Sequence, residues 1–546
     1  MNHRLECISR NRYAILSAAV ALLMFSHISN WVWKGDFWEH AACVRELASR
    51  PFSPRHSMYL ADTPHMLYSP YLLSVAIVSR VAGLGLIEGL TAAGIMNLIL
   101  LLVSLRIFIG SCVEEEAEKT SFYTLLFMLF LWGPPPWFFS GFLHMNVLGY
   151  VLPYPSTFSA ALTFLSFAIY LRILRGARLT WFIPLYLTIP TVVLTHPTTA
   201  LVLFAGLWAF TIGAGKCRDV RLMAMLAGAL AATLLAALAY PYYSCIDIFI
   251  VKATSFHEDN YDLYEKVAQR TLPALIGLFP LFGRLRRDRR DPLVILFAFL
   301  VCIYVYGVLS GSYIYGRVIF YIVLLLQMAL ATSVARAETH KKASVAILLL
   351  AYLYLTSPML PMQGLRFVLQ YMPGRGSNYS DLLFLSTCVE QDDVVLSDIE
   401  TSLMVPALGG KVVAYDKPVP LMDNRARIKD AVLFFDAATG EEERMRILRK
   451  YSVDYILVDR RRDSGTDRAL GPFLSFGNIV YQSPRYVLVK VSEDPRRVGG
   501  PDTKNQRYEF KHLRPRSRRT RRSAGLRSVR YGRAGGPPSV GGDVSP

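Results

Sequence analysis

Asp36, Glu39 and His40 stand together in Trp31-Val-Trp-Lys-Gly-Asp-Phe-Trp-Glu-His40, two carboxylates and an imidazole enclosed by aromatic side chains. If a helix begins near Asp36, spacings of three, four and one residues put all three on one face. Asp36 itself can then cap the helix N-terminus. Such a face is equipped for general acid–base work, because apolar surroundings raise a carboxylate's proton affinity toward that of a useful base. The same residues also fit a solvated loop beside an aromatic belt, so their surroundings decide between the two readings.

Further polar residues recur at the edges of apolar runs. His56, Tyr59, Asp62, His65 and Tyr68 follow the first group. His40, His56 and His65 can be imagined around a metal, but their spacing matches no compact ligand motif. Segment 133–156 holds Pro134-Pro-Pro136, Trp137, His144, Asn146, Tyr150 and Tyr154 and no carboxylate, which also suits a rigid turn. His196-Pro197 joins two apolar runs, placing the imidazole either at the water boundary or in a functional cavity. Arg317, in Ser312-Tyr-Ile-Tyr-Gly-Arg317, opens another run. There an arginine either snorkels to water or finds an anion, and a guanidinium matches phosphate through paired hydrogen bonds. Segment 241–270 adds Lys252, His257, Glu258 and Asp259 without a specific pattern.

The elements that must carry these residues are mostly apolar. The chain is 53% hydrophobic and 18% charged, below the quarter or so of charged residues usual in soluble domains. A bilayer crossing takes about 20 apolar residues. Candidate crossings are 13–33, 90–109, 120–135, 157–171, 180–195, 198–213, 222–240, 271–282, 292–309, 313–334 and 343–357, about eleven and at most thirteen. Run 68–86 contains Arg80 and several glycines. Laying it along the outer interface brings the clusters at Arg172/Arg175/Arg178, Lys216/Arg218/Arg221, 284–290 and Arg336/Lys341/Lys342 to one side, as the positive-inside rule requires. The expected fold is a polytopic α-helical protein of the plasma (inner) membrane, with an uncleaved first helix and a cytoplasmic N-terminus. Arg4, Arg10 and Arg12 precede that helix, and Trp31 and Trp33 follow it where a cleavage site would want small residues. Residues 1–357 form the membrane module, with outer segments 34–89, 133–156 and 241–270.

After Pro358 the pattern changes. Asp392–Ser397, Lys411–Tyr415 and Tyr455–Val458 read as strands and Glu441–Lys450 as a helix, predicting a small extracytoplasmic α/β domain over 358–495. The Arg-, Gly- and Pro-rich tail 496–546 is expected to be disordered. The net charge of +18 resides largely in cytoplasmic loop candidates and in this tail, so it does not call for nucleic acid. Seven cysteines form no CxxC pair, and no P-loop, post-strand GxGxxG or HExxH occurs.

Taken together, Gly35-Asp36-Phe-Trp-Glu39-His40, Pro70-Tyr-Leu-Leu73, many spans, and Leu396-Ser-Asp398, Pro406-Ala-Leu-Gly-Gly-Lys411 and Lys450-Tyr-Ser-Val-Asp-Tyr-Ile-Leu-Val458 resemble the GT-C superfamily of membrane glycosyltransferases over roughly residues 10–495. That superfamily includes protein O-mannosyltransferases, aminoarabinose transferases, arabinofuranosyltransferase-like proteins and catalytic oligosaccharyltransferase subunits. The resemblance implies an extracytoplasmic active site, a polyprenyl-phosphate-linked sugar donor and a lipid, glycan or protein acceptor. It assigns Asp36 to the first-loop catalytic aspartate, with Glu39 as a second catalytic candidate, and Arg317 to the donor phosphate, helped by Lys252 or His257. His40, His65, His144 and His196 are supporting candidates. Many relatives carry another acidic residue in the second outer loop, where some hold a divalent metal. Here 133–156 has none, which leaves the metal question open and makes His144 the candidate replacement.

Two other classes handle similar lipids. A lipid-linked oligosaccharide polymerase or ligase shares the many spans but usually has large outer loops and arginine-based chemistry. A transporter or flippase of lipid-linked sugars would keep basic residues near phosphate, yet needs no fixed interfacial aspartate and tends to show internal repeats. No repeat is visible in this chain.

Overall fold

The computed structural model describes residues 11–29, 33–63, 65–113, 115–245, 261–339, 379–417, 423–460 and 470–492. Apolar runs fold as helices because a bilayer offers no partner for backbone N–H and C=O groups, which must pair within the segment. Five described helices are long and apolar enough to cross a membrane: Leu86–Cys112, Pro155–Leu174, Val220–Leu238, Pro292–Ser310 and Ile314–Glu338. Arg12–Ser29, Ala117–Phe130, Phe182–Thr195 and Pro197–Gly213 are shorter apolar helices on the expected runs. The run expected at 343–357 lies outside the described residues.

Two regions are informative about length. Run 271–282 is not one span but two short helices, Val267–Leu275 and Leu278–Arg287. The break falls at Gly277, where an added Cβ would stand 2.2 Å from the Leu326 carbonyl oxygen, so only glycine allows this approach. Run 68–86 yields the helix Pro70–Ala82, capped by the Ser69 hydroxyl, which accepts the Leu72 N–H at 3.3 Å, and ended by Gly83 at φ 64°. Thirteen residues make a helix about 20 Å long, some two-thirds of the hydrocarbon thickness. It packs against the helix Asp36–Ser49.

The C-terminal part contains a five-stranded sheet in the order β2-β1-β3-β5-β4, with β1 Val394–Leu396, β2 Lys411–Val412, β3 Tyr455–Asp459, β4 Gly477–Gln482 and β5 Tyr486–Val491. β1 runs parallel to β2 and β3, while β5 is antiparallel to both β3 and β4. Alternation along the strands gives the sheet two apolar faces. Val394, Leu396, Ile456, Val458, Val487 and Val489 pack with the helices Asn424–Phe435 and Glu441–Lys450. Val395, Val412, Tyr455, Leu457 and Leu488 join the same continuous core as the long apolar helices. The sheet is thus built into the helical body rather than hung from it.

Candidate active site

The helix Asp36–Ser49 begins at Gly35, whose φ of 57° and ψ of −131° turn the chain sharply where a side chain would be strained. Gly35 is therefore the N-cap, and Asp36, expected to cap, is the first helical residue with its carboxylate turned elsewhere. Trp33 stacks on Phe37 at 4.1 Å, and Phe37 and Trp38 are fully buried, so the aromatics fix this first turn in the core.

The Asp36 carboxylate meets Lys417. Lys417 Nζ lies 2.6 Å from Asp36 Oδ1 and 2.6 Å from Glu39 Oε2, so one ammonium joins both acids across 381 and 378 positions of chain. The other Glu39 oxygen, Oε1, accepts the Tyr415 hydroxyl at 3.0 Å and lies 3.2 Å from His65 Nε2. The Glu39 side chain is 7% exposed and that of Asp36 44%. Burial would raise the Glu39 carboxyl, but Lys417 and His65 outweigh it and hold the group well below the usual carboxylate range. Burial disfavours charge on Lys417 too, yet the two carboxylates raise its affinity for its proton. Burial pushes His40 down to about 4, leaving it neutral at physiological pH, with its ring 4.8 Å from that of Tyr154.

Asp36, Glu39 and His40 form one wall of a cavity of about 360 Å³. Arg317, Ser140 and His196 line the same cavity. Arg317 Nη1 donates to the Ser140 carbonyl and, at 3.1 Å, to its hydroxyl, and the guanidinium lies 5.0 Å from the Phe139 ring. His196 occupies the turn between Phe182–Thr195 and Pro197–Gly213, with Nδ1 2.7 Å from Thr199 Oγ1. Between these polar groups the lining is apolar, chiefly Val193, Leu194, Leu201, Phe204 and Ile314. Five of the sequence-predicted residues, Asp36, Glu39, His40, His196 and Arg317, thus share one space.

The remaining candidates fall elsewhere. His65 sits behind Glu39, contacting it and Cys43 Sγ at 3.6 Å without lining the cavity. His144, the candidate replacement for the missing second-loop carboxylate, is not among the residues lining the cavity. It is fully buried among Trp132 and Phe142, with Nε2 2.8 Å from the Trp137 carbonyl, and it holds the 133–156 turn together. Lys252 and His257 lie outside the described residues. Among the described residues no three His, Cys, Asp or Glu side chains converge as metal ligands, and His56 instead accepts the Met58 and Tyr59 N–H groups through Nδ1, each at 3.2 Å. No catalytic step is therefore derived through a metal. Sequence reasoning missed Lys417 and Tyr415. The one local signal is that Tyr415 ends the segment Lys411-Val-Val-Ala-Tyr415 and Lys417 follows it by two residues.

No family model and no curated protein matches the chain. Solved structures do. AglB, the archaeal oligosaccharyltransferase of Archaeoglobus fulgidus in complex with an inhibitory peptide and a dolichol-phosphate, superposes with a TM-score of 0.51 at 12% identity, over 89% of this chain and 75% of that one. The same oligosaccharyltransferase in complex with zinc and sulfate gives 0.51 at 12%, over 88% and 73%. ArnT of Cupriavidus metallidurans bound to undecaprenyl phosphate gives 0.51 at 14%, over 90% of this chain and 99% of that one. With its apolar helices and this likeness along nearly its whole length, the chain shares the fold of AglB and ArnT.

Proposed function

We propose that this protein is a glycosyltransferase that moves a sugar from a polyprenyl-phosphate-linked donor to a hydroxyl of an extracytoplasmic lipid, glycan or protein acceptor. One observation carries the reading. A single cavity joins a carboxylate wall at Asp36 to a guanidinium at Arg317 through an apolar lining. That combination suits a substrate with a sugar, a phosphate and a hydrocarbon chain. Phe204 also borders a second small apolar cavity with Leu207, Trp208, Leu226 and Leu230, further apolar surface that suits a prenyl chain. Solved structures of the same fold have been obtained with dolichol-phosphate and with undecaprenyl phosphate.

In this mechanism Arg317 pairs with the donor phosphate. The acceptor hydroxyl is held by Asp36, the more exposed of the two acids, which takes its proton as the oxygen attacks the anomeric carbon. The new carbon–oxygen bond forms as the bond to phosphate breaks. Polyprenyl phosphate departs with the electron pair, and a single displacement inverts the anomeric centre. Glu39 is a positioning residue here, since all its described contacts are to Lys417, Tyr415 and His65. The work is done by holding reactants in line and stabilising charge on the leaving phosphate.

The test is transfer by the purified full chain from a panel of polyprenyl-phosphate sugars, run with and without chelator, reading released polyprenyl phosphate and glycosylated acceptor together. Transfer that requires both substrates supports the reading. Movement of the lipid-linked sugar across vesicles without any transfer would replace it with the transporter reading.

A further inference from the structure

The turn bearing Lys417 is held from several sides before it reaches the acids. Tyr415 is fully buried, and the side-chain amide of buried Asn424 donates to the Tyr415 carbonyl at 2.9 Å and to the Lys417 carbonyl. The Tyr59 hydroxyl donates to the oxygen of the same amide. One strand away, Val412 N–H donates to the Met58 carbonyl at 2.8 Å. The ammonium is thus delivered by the C-terminal sheet to a fixed point beside the first-loop helix. It contacts Asp36 through Oδ1, and Asp36 itself lines the cavity. Lys417 is not among the residues lining the cavity.

We propose that Lys417 is a positioning residue of the glycosyl-transfer site, its ammonium tying Asp36 to buried Glu39 so that Asp36 is oriented toward the acceptor. The proposal rests on the glycosyltransferase reading above. Physically, a carboxylate at a helix start, facing an apolar cavity, has few neighbours to fix its rotamer. One cation shared with a buried acid supplies both the orientation and the charge balance. Several other groups face this pair. His40 and Cys43 come from its own helix, and His56, Tyr59 and His65 from the loop that follows. Tyr154 and Arg317 are further residues of the cavity lining, and Tyr415 comes from the lysine's own turn. His40 and His56 are kept neutral by burial, whereas at His65 burial is outweighed by Cys43 and Glu39, which push it up to about 9 as a second cation on Glu39. Among the described residues Lys417 is the cation in direct contact with both acids.

The experiment uses full-length protein with Lys417→Met, Lys417→Arg and Glu39→Gln, alone and combined. Thermal unfolding is followed from pH 7.5 to pH 4. Lys417→Met should lower the melting temperature most at neutral pH, less as Glu39 protonates in acid, and much less in the Glu39→Gln background. An equal penalty in both backgrounds at all pH values overturns the pairing whether or not any donor is accepted. In transfer assays Lys417→Met should lower kcat about 100-fold, at the lower end of a general base's contribution, with donor KM little changed. Its acid limb should move to higher pH, because Glu39 without Lys417 protonates earlier. Lys417→Arg should recover most of both. Wild-type transfer matched by Lys417→Met, with the same kcat and acid limb, overturns this inference and leaves the glycosyltransferase reading intact. If wild-type protein transfers from no donor, the reading in the preceding section fails and the catalytic role of Lys417 with it, while the melting cycle still decides the pairing.

Discussion

Glu46 and Lys411 meet at 2.7 Å, with side chains 1% and 2% exposed, although 365 positions separate them. The pair fastens β2 to the last turns of the helix that begins at Asp36. Around it, Gln391 donates to Glu46 at 2.8 Å, and Arg50 reaches Asp392 at 2.5 Å. Lys411 also donates to the His56 carbonyl at 2.8 Å. Breaking one side of a buried pair leaves an uncompensated charge, which typically costs about 3–5 kcal/mol. Lys411→Met or Glu46→Gln should therefore destabilise the protein by that order in denaturant titrations. The Glu46→Met/Lys411→Met double variant should lose clearly less than the two single losses added, and strict additivity would dismiss the coupling.

Asp36→Asn keeps the size of the side chain and removes its charge and its capacity to take a proton. Turnover should fall by about 10²–10⁴-fold, with folding and donor binding retained. Near-normal transfer would remove Asp36 from the role of base.

Arg317→Ala acts on the other end of the cavity. A hydrogen bond to a charged group contributes about 1.5–3 kcal/mol, so donor KM should rise roughly 10- to 100-fold with a smaller change in kcat. Arg317→Lys should recover part of the loss, because charge survives without the paired geometry. A fall in kcat alone, with donor binding intact, would argue against a phosphate contact.

His40 predicts a pH effect on stability. Burial lowers its pKa from 6.5 to about 4 in the folded protein. Between those values the unfolded chain binds a proton that the folded protein refuses, so stability falls as pH drops through that window. The size is on the order of 3 kcal/mol. His40→Phe retains a ring beside Tyr154 and removes this titration. Burial lowers His56 and His144 in the same direction, but both remain in the variant, so the difference isolates His40. Parallel stability curves for the two proteins from pH 7 to pH 4 would refute the assignment.

The part of the site that can be read from the sequence is the part built on one helix. Asp36, Glu39 and His40 converge because helical spacing places them together, and the apolar runs around them predict where the long helices lie. Lys417 is invisible at that level. Its partner is 381 positions away, and a lysine in Asp416-Lys-Pro418 reads as an ordinary solvated turn. His144 misleads for the complementary reason: its neighbours in sequence are those of an outer loop, but tertiary packing closes aromatic rings over it. In the C-terminal sheet, β3 and the helix Glu441–Lys450 follow their patterns closely. The hairpin of β4 and β5 does not stand out, because β4 is largely exposed and carries little apolar alternation.

The distance between Asp36 and Lys417 along the chain also sets a schedule. At a synthesis rate of about 5–20 residues per second, roughly 20–80 s pass between the emergence of the acids and that of their cation. During that interval the first-loop helix carries two neighbouring carboxylates without their shared ammonium, beside a cavity whose arginine is also made late. A chain interrupted before residue 411 would contain most of the apolar helices and still lack a finished site. On the proposed reading, the carboxylates of nascent and prematurely terminated chains stay without their shared ammonium until the C-terminal sheet has folded against the helix that begins at Asp36.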